Sequence, residues 1–520
     1  MLLTLIRKEL LSHLRTLRLI VALVFTVVLC ALTTFMGSLD FSVSMRAYEG
    51  AVSQMRSDLD EARLMDDVGP HVIVAPQPLT VLARGVLEGA AQRFQVRILP
   101  YWMSTQLIGS GSYDDLMLIL VRTDLTTVVA LVLSFLAVVL GFDAVCGERE
   151  HGTLKLLLSH PVPRAYLLVA KLVGGALALW LPLALAFALS LLILLANPDV
   201  SFSGDDWVRL VIMFALSCLI LLLVYAVSVM ISTLTRSPAT SLIICLFGWL
   251  VCGVGYANAL PALMRYGLTY PPFQQYLDKD REAEQRMEAD IAAWEERHPP
   301  PPEIELGRVA DGPWRYATEA GHVWLAKKAA FDFERLLKRA DEDYTIRWPN
   351  QRPLAEQEFA VDRWSILSPL TNYRTLCKWV ARSTLDDRFQ VARYGIQYRR
   401  TLMQWMRARL QATDWRRWYT DDPPDQESLV DALGLQEQSE SENSAQAEQI
   451  RAWVAAQNER AQTDPRRHLD LTGMPMPGEG SRRSLSASLQ EMMPGLSVML
   501  LSLALAMVIA VRRFSRYPLN

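Results

Sequence analysis

Six stretches of this chain are apolar for long enough to cross a bilayer. They run from about Leu19 to Met36, Leu125 to Phe142, Tyr166 to Ala196, Trp207 to Ile231, Ser241 to Ala257 and Met493 to Val511. At about 1.5 Å per residue, each spans a hydrocarbon core of roughly 30 Å as a helix. The second apolar run opens at Leu116, but Arg122 and Asp124 interrupt it, so its membrane part starts at Leu125. The first run is too long for a signal peptide and shows no clear small-residue cleavage site. Between the fifth and sixth runs the period changes. Tyr276 to Arg297, Trp314 to Arg339 and Arg388 to Trp418 are charged, with apolar residues three and four apart, and each predicts a helix. In the last of these, Tyr394, Ile396, Leu402, Trp405 and Leu410 are the candidate core contacts, and in the second Trp324, Phe331, Leu336 and Leu337. Four prolines in His298 to Pro302 stop the first of them. Val72 to Ala75 predicts a strand, and an amphipathic stretch, Leu79 to Phe94, follows Pro76 and Pro78. Gln436 to Gln449 is rich in Ser, Glu and Gln and has too little apolar surface to pack.

The cations decide the orientation. Arg7, Lys8, Arg15 and Arg18 precede the first span, Arg236 lies between the fourth and fifth, and Arg512, Arg513 and Arg516 follow the sixth. The loop between the third and fourth spans has Asp199, Asp205 and Asp206 and no cation before Arg209. Positive-inside bias then places both termini in the cytosol of a multi-pass protein of the cytoplasmic (inner) membrane. The expected fold is an all-α membrane protein with six transmembrane helices and a mainly helical extracytoplasmic domain. Residues 1–36 form the N-terminal segment and first span, 37–115 a first extracytoplasmic insertion, and 116–259 spans two to five. Residues 260–491 form a second insertion of domain size, and 492–520 the last span and a cytosolic tail.

Composition changes the picture in two ways. Hydrophobic residues are 51% of the chain, yet 21% are charged, which requires large wet parts beside the spans. A net charge of -3 gives no support to nucleic acid as a partner. Cys30, Cys218, Cys245 and Cys252 fall in spans and Cys146 beside the cytosolic segment, leaving Cys377 as the single outer cysteine. The outer domain therefore folds on helix packing without an internal disulfide, and Trp405, Trp415 and Trp418 are open to the membrane interface.

The segment Gly147 to Arg164 is the most informative. It is short, charged and amphipathic, and it lies between two spans on the cytosolic side. Glu148 and Glu150 favour the positive end of a short helix, and Leu154, Leu157 and Leu158 share one face. Gly152 leaves room for another backbone, and Pro161 and Pro163 stop the helix. Asp143 pairs with Arg149, and Lys171 snorkels to the interface. On physics alone, an ordinary intracellular loop with a positive-inside bias is the better fit.

With Asp143 before it and Lys171 after it, this segment resembles the signature of ABC-2-type transporter permeases. The matching positions are Glu148, Glu150, Gly152-Thr153-Leu154, Leu157-Leu158, Ser159, Pro161 and Arg164. Leu5-Ile6-Arg7-Lys8-Glu9-Leu10 resembles the family's N-terminal interfacial helix, and Ile366 to Leu370 with Asn372-Tyr373 resembles a short Ser-Pro element of outer segments. Simple members have short outer loops. This chain is more similar to the branch with long insertions, near the permeases associated with nitrous-oxide-reductase maturation and gliding. The resemblance implies that residues 148–160 are the coupling helix, with Glu148, Arg149, Glu150, Gly152, Thr153, Leu154, Leu157 and Arg164 as its contact residues. It implies a separate ABC ATPase subunit that carries ATP and Mg, a second permease copy, and export as the direction.

No Gly-x-x-x-x-Gly-Lys-Ser/Thr loop and no Gly-Lys pair occurs, so the chain offers no P-loop of its own. His-Glu-x-x-His is absent, and His71, His298, His322 and His468 lack ligand spacing. Gly109-Ser110-Gly111-Ser112 reads as a flexible loop. Met474, Met476, Met492 and Met493 mark a turn and a span entry more than a soft-metal site. The expected function is the permease subunit of an ATP-driven ABC-2 transporter, with no catalytic, cofactor or metal site on this chain. Two rivals stay open: a mechanotransmitting subunit that works an extracytoplasmic domain or protein partner without transport, and a membrane-anchored receptor or enzyme.

Overall fold

The computed structural model describes residues 2–85, 93–95, 123–152, 163–266, 273–301, 319–412, 415–421, 464–478 and 482–516, with isolated positions at 423 and between 448 and 459. Among them, six helices are long and apolar enough to cross a membrane: α2 (Leu17–Asp60), α3 (Leu125–Glu150), α4 (Arg164–Leu195), α5 (Gly204–Leu234), α6 (Pro238–Met264) and α12 (Leu485–Ser515). A short helix, α1 (Leu2–Leu14), precedes them. The protein is an all-α membrane protein, and each apolar run of the sequence became one of these helices.

The helices outrun the runs where amphipathic turns continue them. α2 has 44 residues, so at 1.5 Å per residue it is about 66 Å long, roughly twice a hydrocarbon core. Its far half carries Ala51, Met55 and Leu59 four residues apart, and these enter a second core away from the bundle. That second body is built from α7 (Phe273–Arg297), α8 (Glu319–Trp364), α10 (Leu385–Ala412) and α11 (Arg416–Tyr419). Phe333, Leu402 and Met406 are fully buried at its centre. α7 ends at Arg297, where the proline run begins. Trp418 meets Phe333 edge-on at 5.2 Å, and Trp415 meets the same ring at 5.8 Å. Trp415, Trp418 and Trp405 thus belong to this core and its margin, not to a lipid-facing belt. Burial of flat aromatic area outweighs the interfacial preference here. A two-stranded antiparallel sheet, β1 (His71–Ile73) with β2 (Arg93–Gln95), is the one strand pair among the described residues. Met474 packs in the second core and Met492 in the bundle core, so these methionines fill gaps in two separate places.

Within the bundle, small residues set the crossings. A Cβ on Gly175 would fall 2.1 Å from the Tyr225 ring, and one on Gly141 2.7 Å from Ser228. Thr34 donates to Ser190 at 2.8 Å, and Asn197 donates to the Ser38 carbonyl at 3.1 Å, tying α2 to α4 and the turn that follows it. A further helix, α9 (Pro369–Ala381), is too short to cross a membrane but packs inside the bundle core through Leu370, Tyr373, Leu376 and Cys377. Cys377 is a free, buried thiol, as are Cys30, Cys146 and Cys245.

The Ser-Pro element opens α9 and explains its place. Two helices break into wide π turns, α3 at Val129–Leu133 and α6 at Leu250–Gly255. Ser368 donates to the Cys252 carbonyl at 2.7 Å, inside the α6 π turn. Leu370 sits against Gly253, and Asn372 donates to the Gly495 carbonyl of α12 at 2.9 Å. Gly253 therefore serves α9. The Trp249 indole links the two π regions by donating to Ser134 at 2.8 Å. Trp249→Phe keeps the ring that packs on Phe135 but loses this bond. It is expected to cost about 1 kcal/mol in a denaturant titration of the micellar protein. A loss above about 3 kcal/mol would show that the π turns depend on this bond, beyond its ordinary worth.

Candidate functional site

The signature segment begins as the last turn of α3, Cys146–Glu150. α5 holds that turn. Ser232 Oγ accepts the backbone N–H groups of Val145 at 3.0 Å and Cys146 at 3.1 Å, and Arg149 donates to the Thr235 carbonyl at 3.3 Å. The backbone then changes hand at Gly152, whose φ is 74°. Among the described residues a Cβ there would meet nothing within 4 Å, so the left-handed turn, and no close neighbour among them, calls for the glycine. Glu150, His151 and Gly152 are exposed. Thr153, Leu154 and Leu157, with the remainder up to residue 162, lie outside the described residues. Arg164, at the start of α4, donates to the Ser515 carbonyl at 2.8 Å, tying this end to the end of α12.

Glu148 is the centre of the site. Its carboxylate receives the Lys171 ammonium of α4 at 2.7 Å, and the same ammonium reaches Glu9 of α1 at 3.3 Å. Lys171 is only 6% exposed, so it is a buried link among three helices and does not snorkel. One cation between two carboxylates leaves the trio at net -1, and the ammonium lowers the cost of enclosing both. Leu5, Leu167, Ala170 and Phe514 close around the trio. Gly174 makes the geometry attainable. A Cβ there would fall 2.8 Å from the Glu9 Cβ, so only a glycine lets α1 ride close enough on α4.

Asp143 pairs with Arg18 at 3.4 Å, not with Arg149, because Arg149 is turned toward the end of α5. Beside them His13 packs edge-on against Tyr225. Burial pulls the His13 imidazole below its ordinary pKa, and nearby Lys171 adds to the pull while Glu9 and Asp143 oppose it.

The structure thus brings Glu148 and Arg149 together with α1, α4 and α5, leaves Glu150 and Gly152 facing outward, and bonds Arg164 of α4 to the end of α12. Glu9, Lys171, Ser232 and Thr235 were missing from the predicted contact set. For the first two a signal existed: Lys171 is the one charge inside the apolar run Tyr166 to Ala196, and a lysine in a span needs an acid. No comparable signal marks Ser232.

Residues 3–517, nearly the whole chain, match the ABC-2 family of transporter proteins. Two curated relatives are each named "Probable ABC transporter permease protein NosY". The one from Pseudomonas aeruginosa is 39% identical over 72 residues, which cover 14% of this chain and 26% of that protein. The one from Stutzerimonas stutzeri is 38% identical over 63 residues, covering 12% and 23%. The chain therefore spans about a quarter of the length of these relatives. The family match extends from α1 through α12 and includes the signature turn, the Lys171 trio and the inserted helix α9, so the chain belongs to the ABC-2 family of transporter proteins.

Proposed function

We propose that this chain is the permease subunit of an ATP-driven exporter, moved by a separate ABC ATPase that docks on residues 148–160 and carries ATP and Mg. The observation that carries this reading is the Glu148–Lys171–Glu9 trio, because it ties the exposed turn to two other helices through a buried ammonium. A push on Glu150 and Gly152 would reach α4 through Lys171 and α1 through Glu9 without passing through a flexible segment. The relatives' names, ABC transporter permease, are in keeping with it. The ATPase rate of the reconstituted complex, compared with the ATPase alone, tests the reading; an unchanged rate with a bound permease would sink it.

The expected assembly pairs two permease copies. α6 supports that: only 17% of its most apolar stretch is buried, the lowest share of the six spans, with 22% for α12, 28% for α2 and 61% for α3. Gly248 on it has open space, so a neighbouring helix has room to approach closely. The positive-inside bias supports both termini in the cytosol. A cysteine at Ser439 is then expected to label from outside intact cells, and one at Ser237 only after permeabilisation. The reverse pattern would invert the topology.

A second reading has one specific observation in its favour. α2 runs unbroken from the bundle into the second body, so a tilt of this span displaces that body directly. A mechanotransmitting subunit needs such a rod, and a plain exporter does not.

A further inference from the structure

At the end of the bundle opposite the signature turn, two helices begin with the same pattern. α5 opens with Ser203-Gly204-Asp205-Asp206 and α10 with Thr384-Leu385-Asp386-Asp387, Ser203 and Thr384 standing just before the first helical residue. Both are capping boxes. Asp206 accepts the Ser203 hydroxyl at 2.7 Å and its backbone N–H at 3.0 Å, and Asp387 accepts the Thr384 hydroxyl at 2.6 Å and its N–H at 3.0 Å. Each first turn therefore presents a pair of carboxylates, and each pair holds an arginine. Arg382 binds Asp205, and Asp206 at 3.5 Å. Arg483 binds Asp386, and Asp387 at 2.9 Å, with its guanidinium 4.5 Å over the Trp379 ring.

The two halves are fused by a single carbonyl. Arg382 Nε and Arg209 Nη2 each donate to the Arg483 carbonyl at 3.0 Å. Arg209 is fully buried; its remaining groups reach Asp205 at 2.7 Å, the Val380 carbonyl at 3.0 Å and Ser488 of α12 at 3.0 Å. Arg382 ends α9 with φ 57°, the one positive φ of a non-glycine among the described residues. A strained backbone persists where its surroundings fix it, and three separate partners fix this one.

We infer that this knot is a rigid clasp that makes α10 move with the outer ends of α5 and α12, so that the second body is driven at two points. The other point is α2, which enters that body as a rod. Any displacement of α2 relative to α5 and α12 then acts across the second body. The clasp is not a ligand site: its charged groups are spent on one another. Its stiffness comes from chemistry. The Arg209 and Arg483 side chains are 0% and 3% exposed, so water replaces a lost carboxylate or carbonyl partner poorly there and the knot tends to hold or open as a unit. This inference rests on the reading that an ATPase drives the membrane helices.

The test is hydrogen exchange by mass spectrometry on the intact permease–ATPase complex in nanodiscs, with and without ATP plus vanadate. In the natural sequence, peptides over 203–206 and 384–391 are expected to change exchange together. In the D386N/D387N variant the change over 203–206 is expected to persist and that over 384–391 to be lost, with ATP hydrolysis at the natural rate. Arg483→Lys, which keeps the charge but not the two-pronged reach, is expected to lose the 384–391 change in part; it serves if the double variant does not assemble. A 384–391 response of undiminished size in these variants overturns the clasp, as does a natural complex that responds only at 203–206. A natural chain that leaves ATP hydrolysis unaltered counts instead against the transporter reading, and takes this inference with it.

Discussion

A Lys171→Met chain is expected to lose stimulation of the partner ATPase and about 3–5 kcal/mol of stability, the cost of leaving buried charge unpaired. Methionine matches the lysine stem in length, so packing against Leu167 and Phe514 is largely retained and the loss is electrostatic. What remains is worse than one orphan charge. Glu9 and Glu148 both accept from the same ammonium, so its removal leaves two partly buried carboxylates near each other without their shared cation. A second variant separates stability from transmission. In E9Q/E148Q/K171M the whole ionic set becomes neutral, and such replacements are often close to neutral in stability. Unfolding in detergent is expected to return most of the way, while ATPase stimulation stays low because the charged link is gone. If the triple variant stimulates the ATPase normally, the trio is packing and nothing more.

The parts of this fold legible in the sequence are those whose signal is local. Six apolar runs gave six helices because a backbone in lipid must bond within itself. The overrun of α2 to Asp60 was not read, since Gly37, Ser38 and Asp40 look like an exit from the membrane. The stripe Ala51, Met55, Leu59 did carry it, at a spacing of four. The residues of α9 were assigned to the outer mass with the rest of 260–491, because no apolar run there is long enough to span a bilayer. Its apolar face, Leu370, Tyr373, Leu376, Cys377 and Val380, has the right period, but periodicity does not say which core a face will find.

For the site, the turn itself was legible and its partners were not. Glu148 and Arg149 stood out by charge between two spans. The residues that give them meaning lie far off in sequence, with Glu9 and Lys171 162 positions apart and Cys146 and Ser232 86 apart. Only the fold brings such pairs together. Gly152 was read correctly as special but for a different reason: the turn needs a left-handed residue, and no neighbour among the described residues crowds it.

That difference makes the sharpest test of the docking segment. Gly152→Trp and Glu150→Lys are each expected to leave membrane insertion intact and to abolish stimulation of the ATPase. Both positions are exposed, so neither change opens a cavity or strands a buried group. Glu150→Lys inverts one charge on the surface offered to the partner, which alters association and register. Gly152→Trp acts twice: a bulky ring blocks close approach, and a side chain at φ 74° strains the turn by about 1–2 kcal/mol. Gly152→Asn isolates the conformational part, because asparagine tolerates the left-handed region and adds little bulk. It is expected to keep most of the stimulation that Gly152→Trp loses. The measurement is ATP hydrolysis by the co-reconstituted partner, normalised to the amount of permease in the membrane. Normal stimulation in both Gly152→Trp and Glu150→Lys would reduce residues 148–160 to an intracellular loop, and the ATPase would have to grip the bundle elsewhere.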